Sequence, residues 1–316
     1  MLRRERFETL ALWLLAATVL VILWGAFVRV TGSGAGCAEH WPLCNGEFVP
    51  RSPTLETIIE LTHRITSGLA GILSVVVFLA ARRGFERGSP VRKAASTGLV
   101  LMVLEGAIGA LLVKQGLVAK NASEARAFVV GLHLCNTFLL LAAQTLTYHF
   151  ARGGAPLVLR GRAGLVALLA LLSGLVLLLG GSGAVTALGD TLFPASSLRA
   201  GLAQDRSPDA HFLVRLRVWH PLLAVFGGAI IVYAVQHLRA TLDVPAVARC
   251  ALAISVLYVL QLAVGSLNLL LLAPAPIQIA HLLLADLIWI ALVLLSAHAL
   301  AARTHTAQLS LESAAS

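Results

Sequence analysis

VLEGAIGALLV, residues 103–113, is an apolar segment that contains a single carboxylate, and a similar segment, VLQLAVGSLNL, follows at residues 259–269. The rest of the chain is equally apolar. Hydrophobic residues make up 58% and charged residues 12% of its 316 positions, and the mean hydropathy is +0.87. Soluble globular domains carry about 25% charged residues. The composition therefore predicts an integral membrane protein.

Eight apolar stretches are long enough to cross the hydrocarbon core of a bilayer, which takes about 20 helical residues at about 1.5 Å each. Each stretch is long, rich in Leu and Ala, and without the polar–apolar alternation of a strand. We therefore expect an all-α polytopic fold with eight transmembrane helices. The predicted segments are 8–29, 57–80, 94–113, 125–149, 163–182, 214–237, 250–272 and 277–301.

An internal repeat relates the two parts of the chain. His63, followed by RITSGLAGIL, resembles His220, followed by PLLAVFGGAI. The segment HLCNTFLLLAA from His133 likewise resembles HLLLADLIWIA from His281. Because all copies are displaced by about half the chain, we predict two pseudo-symmetric four-helix bundles. The predicted halves are residues 1–150 and 151–316.

Most of the 24 Lys and Arg residues lie between segments on one side of the predicted bundle. Cytoplasmic loops carry such an excess, so we predict a multi-pass protein of the cell membrane with both termini in the cytoplasm. The net charge of +9 then reflects orientation and contact with lipid headgroups, and nothing in the chain predicts a soluble nucleic-acid-binding domain. The inner basic residues include Arg3, Arg4, Arg6 and Arg303, and the predicted outer loops are near 31–56, 114–124, 183–213 and 273–276.

Each half carries one histidine near the outer end of its second helix and one near the outer end of its fourth helix. These are His63 and His133 in the first half, and His220 and His281 in the second. Ionisable groups at membrane depth are costly and commonly mark functional sites. Two imidazoles on separate helices suit the axial positions of a heme iron, whereas zinc takes about four ligands. We predict one heme site in each half.

Three arginines lie beside these histidines. Arg64 follows His63, and Arg215 and Arg217 precede His220. Their guanidinium groups are candidate partners for heme propionates. Contact with lipid headgroups at the membrane surface explains each of them equally well. Two intramembrane acids, Glu105 and Asp286, are open between a functional role and a hydrogen bond to a neighbouring helix.

The four cysteines fall into two classes. Cys37 and Cys44 flank AEHWPL in the first large outer loop, where an oxidising compartment allows a disulfide to form. Such a disulfide would be structural or would take part in redox chemistry or heme handling. Cys135 and Cys250 lie at different membrane depths, and we interpret them as packing residues.

These segments together resemble the heme A synthase family. The resemblance runs through all eight segments and is most specific in the first loop and the second helix. In one respect the chain departs from the family, since some members carry a second cysteine pair between helices 5 and 6 and this loop has none. The segments that carry the resemblance are VRVTGSGAGCAEHWPLCNG, ELTHRITSG, the segment around His133, WHPLLAVFGG and QIAHLLLADL.

The resemblance implies an enzyme that oxidises the methyl group at ring position 8 of heme O to a formyl group through successive hydroxylations. The product, heme A, serves cytochrome oxidase. The resemblance also implies a bound heme b on His220 and His281 and a substrate heme site on His63 and His133. Implied partners are heme O synthase, cytochrome oxidase assembly factors, an electron donor and membrane lipid.

Glu60 matches the functional glutamate of the family. It lies three residues before His63, on the same helix face, where a carboxylate could accept a proton or stabilise developing positive charge. The alternative is a first-turn residue that complements the helix dipole. The second half has Arg217 at the matching place, which favours chemistry in the first half and a prosthetic electron carrier in the second.

Three classes of protein fit these observations. A heme A synthase is favoured over a two-heme electron-transfer cytochrome without chemistry of its own. A transporter built from two repeats with interfacial histidines is the third.

Overall fold

The computed structural model describes residues 4–301, so Arg3 and Arg303, which contribute to the predicted orientation, lie outside the described residues. Within this range the chain is all-helical without a β-strand, and eight spans are long and apolar enough to cross a membrane. The predicted fold class is confirmed. The helices are α1 (Arg4–Val30), α2 (Leu55–Gly84), α3 (Pro90–Lys114), α4 (Glu124–Ala151), α5 (Ala163–Leu192), α6 (Leu198–Arg206), α7 (Phe212–Arg217), α8 (Trp219–Thr241), α9 (Pro245–Leu270) and α10 (Ala275–Ala301).

Short polar residues fix where several helices begin. The side chains of Thr54, Ser89 and Ser123 each accept a hydrogen bond from a backbone N–H in the first turn of α2, α3 and α4. These bonds satisfy N–H groups that have no partner within the helix. Pro90 and Pro245 occupy the first turns of α3 and α9, where a missing N–H costs nothing.

The long helices pack as two closed rings of four. In the first ring, α1 contacts α2, α2 contacts α3, α3 contacts α4, and α4 returns to α1. In the second ring, α5, α8, α9 and α10 follow one another in the same way. Helices α1 and α4 then contact α5 and α10 across the junction. Second and fourth helices of each ring therefore lie diagonally opposite one another.

Aromatic packing holds the two rings together. The Trp289 indole N–H on α10 donates a hydrogen bond of 2.5 Å to the carbonyl oxygen of Phe138 on α4. Their rings stack with centroids 5.6 Å apart, and both side chains are almost fully buried. Gly180 on α5 lies against the Phe138 ring, where a methyl group would come within 2.9 Å. Phe138 of the first ring is therefore part of the same hydrophobic core as Trp289 and the other buried residues of the second ring.

Helix α5 is longer than the sequence predicts, since it continues from residue 182 to Leu192. Small and polar residues dominate 183–192, so hydropathy alone ends the segment too early. Support comes from the neighbouring helix α1: the Arg29 guanidinium donates to the carbonyl of Ala187 at 2.7 Å and to the Thr191 hydroxyl at 3.0 Å. Contacts distant in sequence therefore extend the helix.

The loop predicted at 183–213 is partly helical, and the sixth span is divided near its outer end. Helix α6 lies within this loop, and α7 and α8 meet at Val218. Pro221 explains the division because it has no N–H for the carbonyl of Arg217 and its ring crowds that carbonyl. His220 consequently lies in the first turn of α8.

Candidate functional site

His220 on α8 and His281 on α10 form the best-defined pair of candidate ligands. Their ring centroids are 6.4 Å apart and the ring planes meet at 85°. With metal–nitrogen bonds of about 2.0–2.1 Å and about 1.1 Å from nitrogen to ring centre, two axial imidazoles on one metal ion have centroids about 6 Å apart. The pair is therefore spaced as two axial ligands of one iron would be.

Glycine and serine on α5 set the position of the His220 ring. A methyl group on Gly183 would lie 3.0 Å from Cε1 of His220, so glycine lets the ring lie against α5 without being displaced. The Ser182 hydroxyl lies 3.0 Å from Nδ1 of His220. This contact engages one ring nitrogen and leaves Nε2 for a ligand.

Helix α9 supports His281 in a similar way. A methyl group on Gly265 would lie 2.9 Å from Cε1 of His281, and the Gln261 side-chain nitrogen lies 3.2 Å from Nε2. The other ring nitrogen, Nδ1, is buried without a hydrogen-bond partner. The Gln261 side-chain oxygen is also buried without a partner, and turning the amide over would let this oxygen accept from Nε2–H and leave the Nδ1 lone pair for a metal ion.

His63 on α2 and His133 on α4 occupy the corresponding places in the first ring. Gly25 on α1 faces His63 as Gly183 faces His220, and a methyl group there would lie 3.0 Å from Cε1 of His63. Nδ1 of both histidines is buried without a hydrogen bond. The two residues lie on diagonally opposite helices, as the second pair does.

Glu105 on α3 lies beside His133. Its Oε1 is 3.3 Å from Nδ1 of His133, and its Oε2 accepts a hydrogen bond of 2.6 Å from the Asn136 amide. The Thr137 hydroxyl also donates to Oε1. Glu105 thus has hydrogen-bond partners on a neighbouring helix. The second intramembrane acid, Asp286, is fully buried, and neither of its carboxylate oxygens accepts a hydrogen bond.

The Glu60 carboxylate is buried and holds the first outer loop on α2. With 3% exposure, it accepts a hydrogen bond of 2.8 Å from the Cys37 N–H at Oε2 and pairs with Arg64 at 2.5 Å through Oε1. Arg64 also donates to the carbonyls of His40 at 2.5 Å and Leu43 at 2.6 Å. These two side chains therefore fix the loop that begins at Cys37 above His63. Neither the catalytic role predicted for Glu60 nor the propionate contact predicted for Arg64 is visible in these contacts, and both stay predictions.

Cys37 and Cys44 lie side by side in that loop. Both are fully buried, and their Cα atoms are 4.4 Å apart. Gly36 packs directly on the α2 backbone, since a methyl group there would come within 2.4 Å of Glu56. The Thr57 hydroxyl donates to the Gly36 carbonyl at 2.7 Å. The loop is seated tightly on α2, and the redox state of the pair stays a prediction.

The two arginines before His220 have different surroundings. Arg217 pairs with Asp205 at 2.6 Å and with Asp190 at 3.5 Å, and it also donates to the Gln204 side chain. The Arg215 side chain is exposed. Of the two, Arg215 is therefore better placed to contact a further anionic group.

Arg29 joins the two rings at the end that carries the first outer loop. Besides its contacts with α5, it donates a hydrogen bond of 3.0 Å to the Gln278 side chain on α10. No pattern in the sequence connects Arg29 with α5 or α10. The sequence analysis also did not identify the glycines that contact the histidines, which are Gly25, Gly183 and Gly265. A signal for two of them exists in the repeat, because Gly25 precedes His63 by nearly the same number of residues as Gly183 precedes His220.

Residues 8–293 match the family model COX15-CtaA, described as cytochrome oxidase assembly protein. The chain belongs to this family. It is the heme A synthase family that the sequence resembles, and it consists of enzymes of heme biosynthesis. The resemblance is confirmed at the level of the family.

Several curated proteins are similar to this member of the family. A protein named Protoheme IX farnesyltransferase, in two strains of Thermus thermophilus, is 51% identical over 287 residues, which are 89% of this chain and 46% of that protein. Heme A synthases of Bacillus cereus and Bacillus anthracis are 43% identical over 108 residues, which are 33% of this chain and 35% of each relative. The chain thus spans less than half the length of these curated relatives.

Proposed function

We propose that the protein is a heme A synthase, which oxidises the C8 methyl group of heme O to a formyl group for cytochrome oxidase biogenesis. The arrangement of the histidines carries this proposal. Each ring has two histidines on diagonally opposite helices, and the rings of His220 and His281 are 6.4 Å apart. Four-helix bundles commonly bind cofactors between facing helices in this way.

The second ring is proposed to hold a resident heme b. His220 and His281 would hold its iron, with Gly183 and Gly265 leaving room for the two imidazoles. Ser182 and Gln261 contact the imidazoles through uncharged groups. When bound, heme b supplies a one-electron redox centre. The uncharged surroundings suit a group that stays in place and transfers electrons.

The first ring is proposed to bind the substrate, heme O, through His63 and His133. Acidic residues accompany both histidines here: Glu105 contacts His133, and Glu60 lies one helical turn before His63. Glu60 and Arg64 hold the first loop over this end of the helices. Glu60 is proposed to act as the acid–base group or to stabilise positive charge near the substrate.

An electron-transfer cytochrome with two hemes and no chemistry of its own is the second candidate. It would be expected to have similar surroundings in both rings. The rings instead differ at the matching positions, with Glu60 opposite Arg217 and Glu105 opposite Gln261. This asymmetry favours an enzyme in which one ring carries out the oxidation.

The name of the Thermus relatives describes a different reaction, farnesyl transfer. More than half of each of those proteins lies outside the match with this chain. The family model matches residues 8–293 of this chain, and relatives named heme A synthase match part of it. We therefore propose heme oxidation, and not farnesyl transfer, for this chain.

The test is expression in cells that make heme O and lack any other heme A synthase, followed by heme extraction and mass analysis. Heme A should appear only with the protein. The purified protein should carry heme b together with heme O or heme A. Replacing His63 or His133 by Ala should reduce bound heme O and spare heme b, whereas replacing His220 or His281 should reduce heme b.

A matched control is His237→Ala, since His237 is an exposed residue at the other end of α8. This variant should behave as the wild type does. Heme b in both rings without heme A formation would support the cytochrome, and the absence of bound heme would support the transporter. Farnesylated heme as the product would assign the Thermus name to this chain. Each of these three results would overturn the proposal.

A further inference from the structure

In both rings, a polar side chain of the third helix contacts the histidine of the fourth helix. Glu105 on α3 lies 3.3 Å from His133, and Gln261 on α9 lies 3.2 Å from His281. The repeat places Glu105 and Gln261 at equivalent positions. The two contacts differ in charge, because Glu105 is a carboxylate and Gln261 is an amide.

Helix α4 holds the Glu105 carboxylate in a fixed orientation. The Asn136 amide donates to Oε2 at 2.6 Å and also to the Leu101 carbonyl at 3.0 Å, while the Thr137 hydroxyl donates to Oε1. Asn136 and Thr137 are both buried. The repeat has Leu284 and Ala285 at the equivalent positions, which cannot donate through their side chains. Only the first ring therefore has the donors that orient a carboxylate toward the fourth-helix histidine.

The contact leaves one imidazole nitrogen of each histidine for a metal. In His133 the carboxylate approaches Nδ1, so Nε2 is left. In His281 the Gln261 amide lies at Nε2, and with its unpaired oxygen turned to accept from Nε2–H it leaves Nδ1. Glu105 and His133 are within ion-pair distance but not aligned for a hydrogen bond, and a small rotation of the ring aligns them. Catalytic contacts commonly tighten in this way when a ligand binds.

We propose that Glu105 is a positioning residue that holds His133 through Nδ1 and increases its electron donation to the iron of the substrate heme. This inference rests on the proposed function. A carboxylate behind a metal-bound imidazole orients the ring and strengthens it as a ligand, and such partners commonly change metal affinity by about 10–100-fold. Stronger donation stabilises ferric iron, so the heme of the first ring has the lower reduction potential. Gln261 orients His281 without this charge.

The test exchanges the two residues in the full-length protein loaded with heme b and heme O. Glu105→Gln should raise the midpoint potential of the heme O signal and leave that of heme b unchanged. Gln261→Glu should lower the potential of heme b and leave heme O unchanged. We expect each exchange to alter the ferric-to-ferrous ratio at a fixed potential by tenfold or more, which is about 59 mV for one electron. Spectroelectrochemical titration measures both hemes in one sample.

Glu124→Gln is the matched control, because Glu124 is an exposed acid in the first turn of α4. It should leave both potentials unchanged. If Glu105→Gln binds heme O with an unaltered potential, the inference is wrong while the proposed function stands. If Glu105→Gln does not fold, Asn136→Leu, which removes the donor to Oε2 and has the residue of the repeat, decides in its place, and an unaltered heme O potential in that variant refutes the inference. If the wild-type first ring binds no heme O, the inference and the proposed function are both wrong.

Discussion

Gly183 offers a direct test of the proposed heme b site, since its replacement by Ala adds one methyl group next to His220. The added Cβ would lie 3.0 Å from Cε1, 3.4 Å from Nε2 and 3.6 Å from Nδ1 of His220. Carbon atoms in favourable contact are about 3.5–4.0 Å apart, so the imidazole must give way by a few tenths of an ångström. Functional groups need to be held within about 0.5 Å of their working position.

The energetic terms predict a folded protein with a damaged site. Gly→Ala within a helix favours folding by about 1 kcal/mol. Overpacking opposes it by about 1–3 kcal/mol, so the free energy of unfolding should fall by about 0–2 kcal/mol. A heme b bound as proposed would hold His220 from the other side, so the strain would act on ligation. A strain of about 1.4 kcal/mol in the bound state weakens heme b retention about tenfold.

The assay compares Gly183→Ala with Gly174→Ala on the same helix. A methyl group on Gly174 would meet no atom within 4 Å, so this control gains helix propensity without a collision. Purified variants are compared by heme b per protein, by the low-spin absorption spectrum and by the rate of heme loss to a competing heme-binding protein. Gly25→Ala, which faces His63, should affect heme O and spare heme b. Full retention of heme b with an unchanged spectrum in Gly183→Ala would refute the reasoning.

Two further predictions concern the first ring and its loop. Glu60→Gln keeps the size of the side chain and an oxygen that can accept from the Cys37 N–H, but it removes the charge. The variant should therefore retain heme b and accumulate heme O or a partly oxidised intermediate. Analysis of the extracted hemes measures both. The pair Cys37 and Cys44 should react with membrane-impermeant thiol reagents on intact cells only after reduction, because we predict a disulfide facing the outside.

Each of these predictions has a clear contrary result. Heme A formation at the normal rate by Glu60→Gln would restrict that carboxylate to its structural contacts with Cys37 and Arg64. Labelling of Cys37 and Cys44 without reductant would exclude the disulfide. Cys135 and Cys250, which lie within predicted spans, serve as internal controls and should stay unlabelled.

The fold class, the number of spans and the repeat could all be predicted from the sequence alone. Long apolar runs can cross a bilayer only as helices that satisfy their own backbone hydrogen bonds, so composition and length were sufficient. The four candidate histidines also followed from the sequence, because a polar residue at membrane depth stands out within a long apolar segment. All four lie on helices that the segments predict, as second and fourth members of the two rings.

Only the tertiary structure decided which residues contact those histidines. Gly25, Gly183, Glu105 and Gln261 each lie on a different helix from the histidine they contact, and such contacts depend on ring order and on the rotation of each helix about its axis. A hydropathy pattern contains neither quantity. The contacts of Glu60 with Cys37 and of Arg29 with α5 likewise join segments distant in the chain, so local sequence could not reveal them.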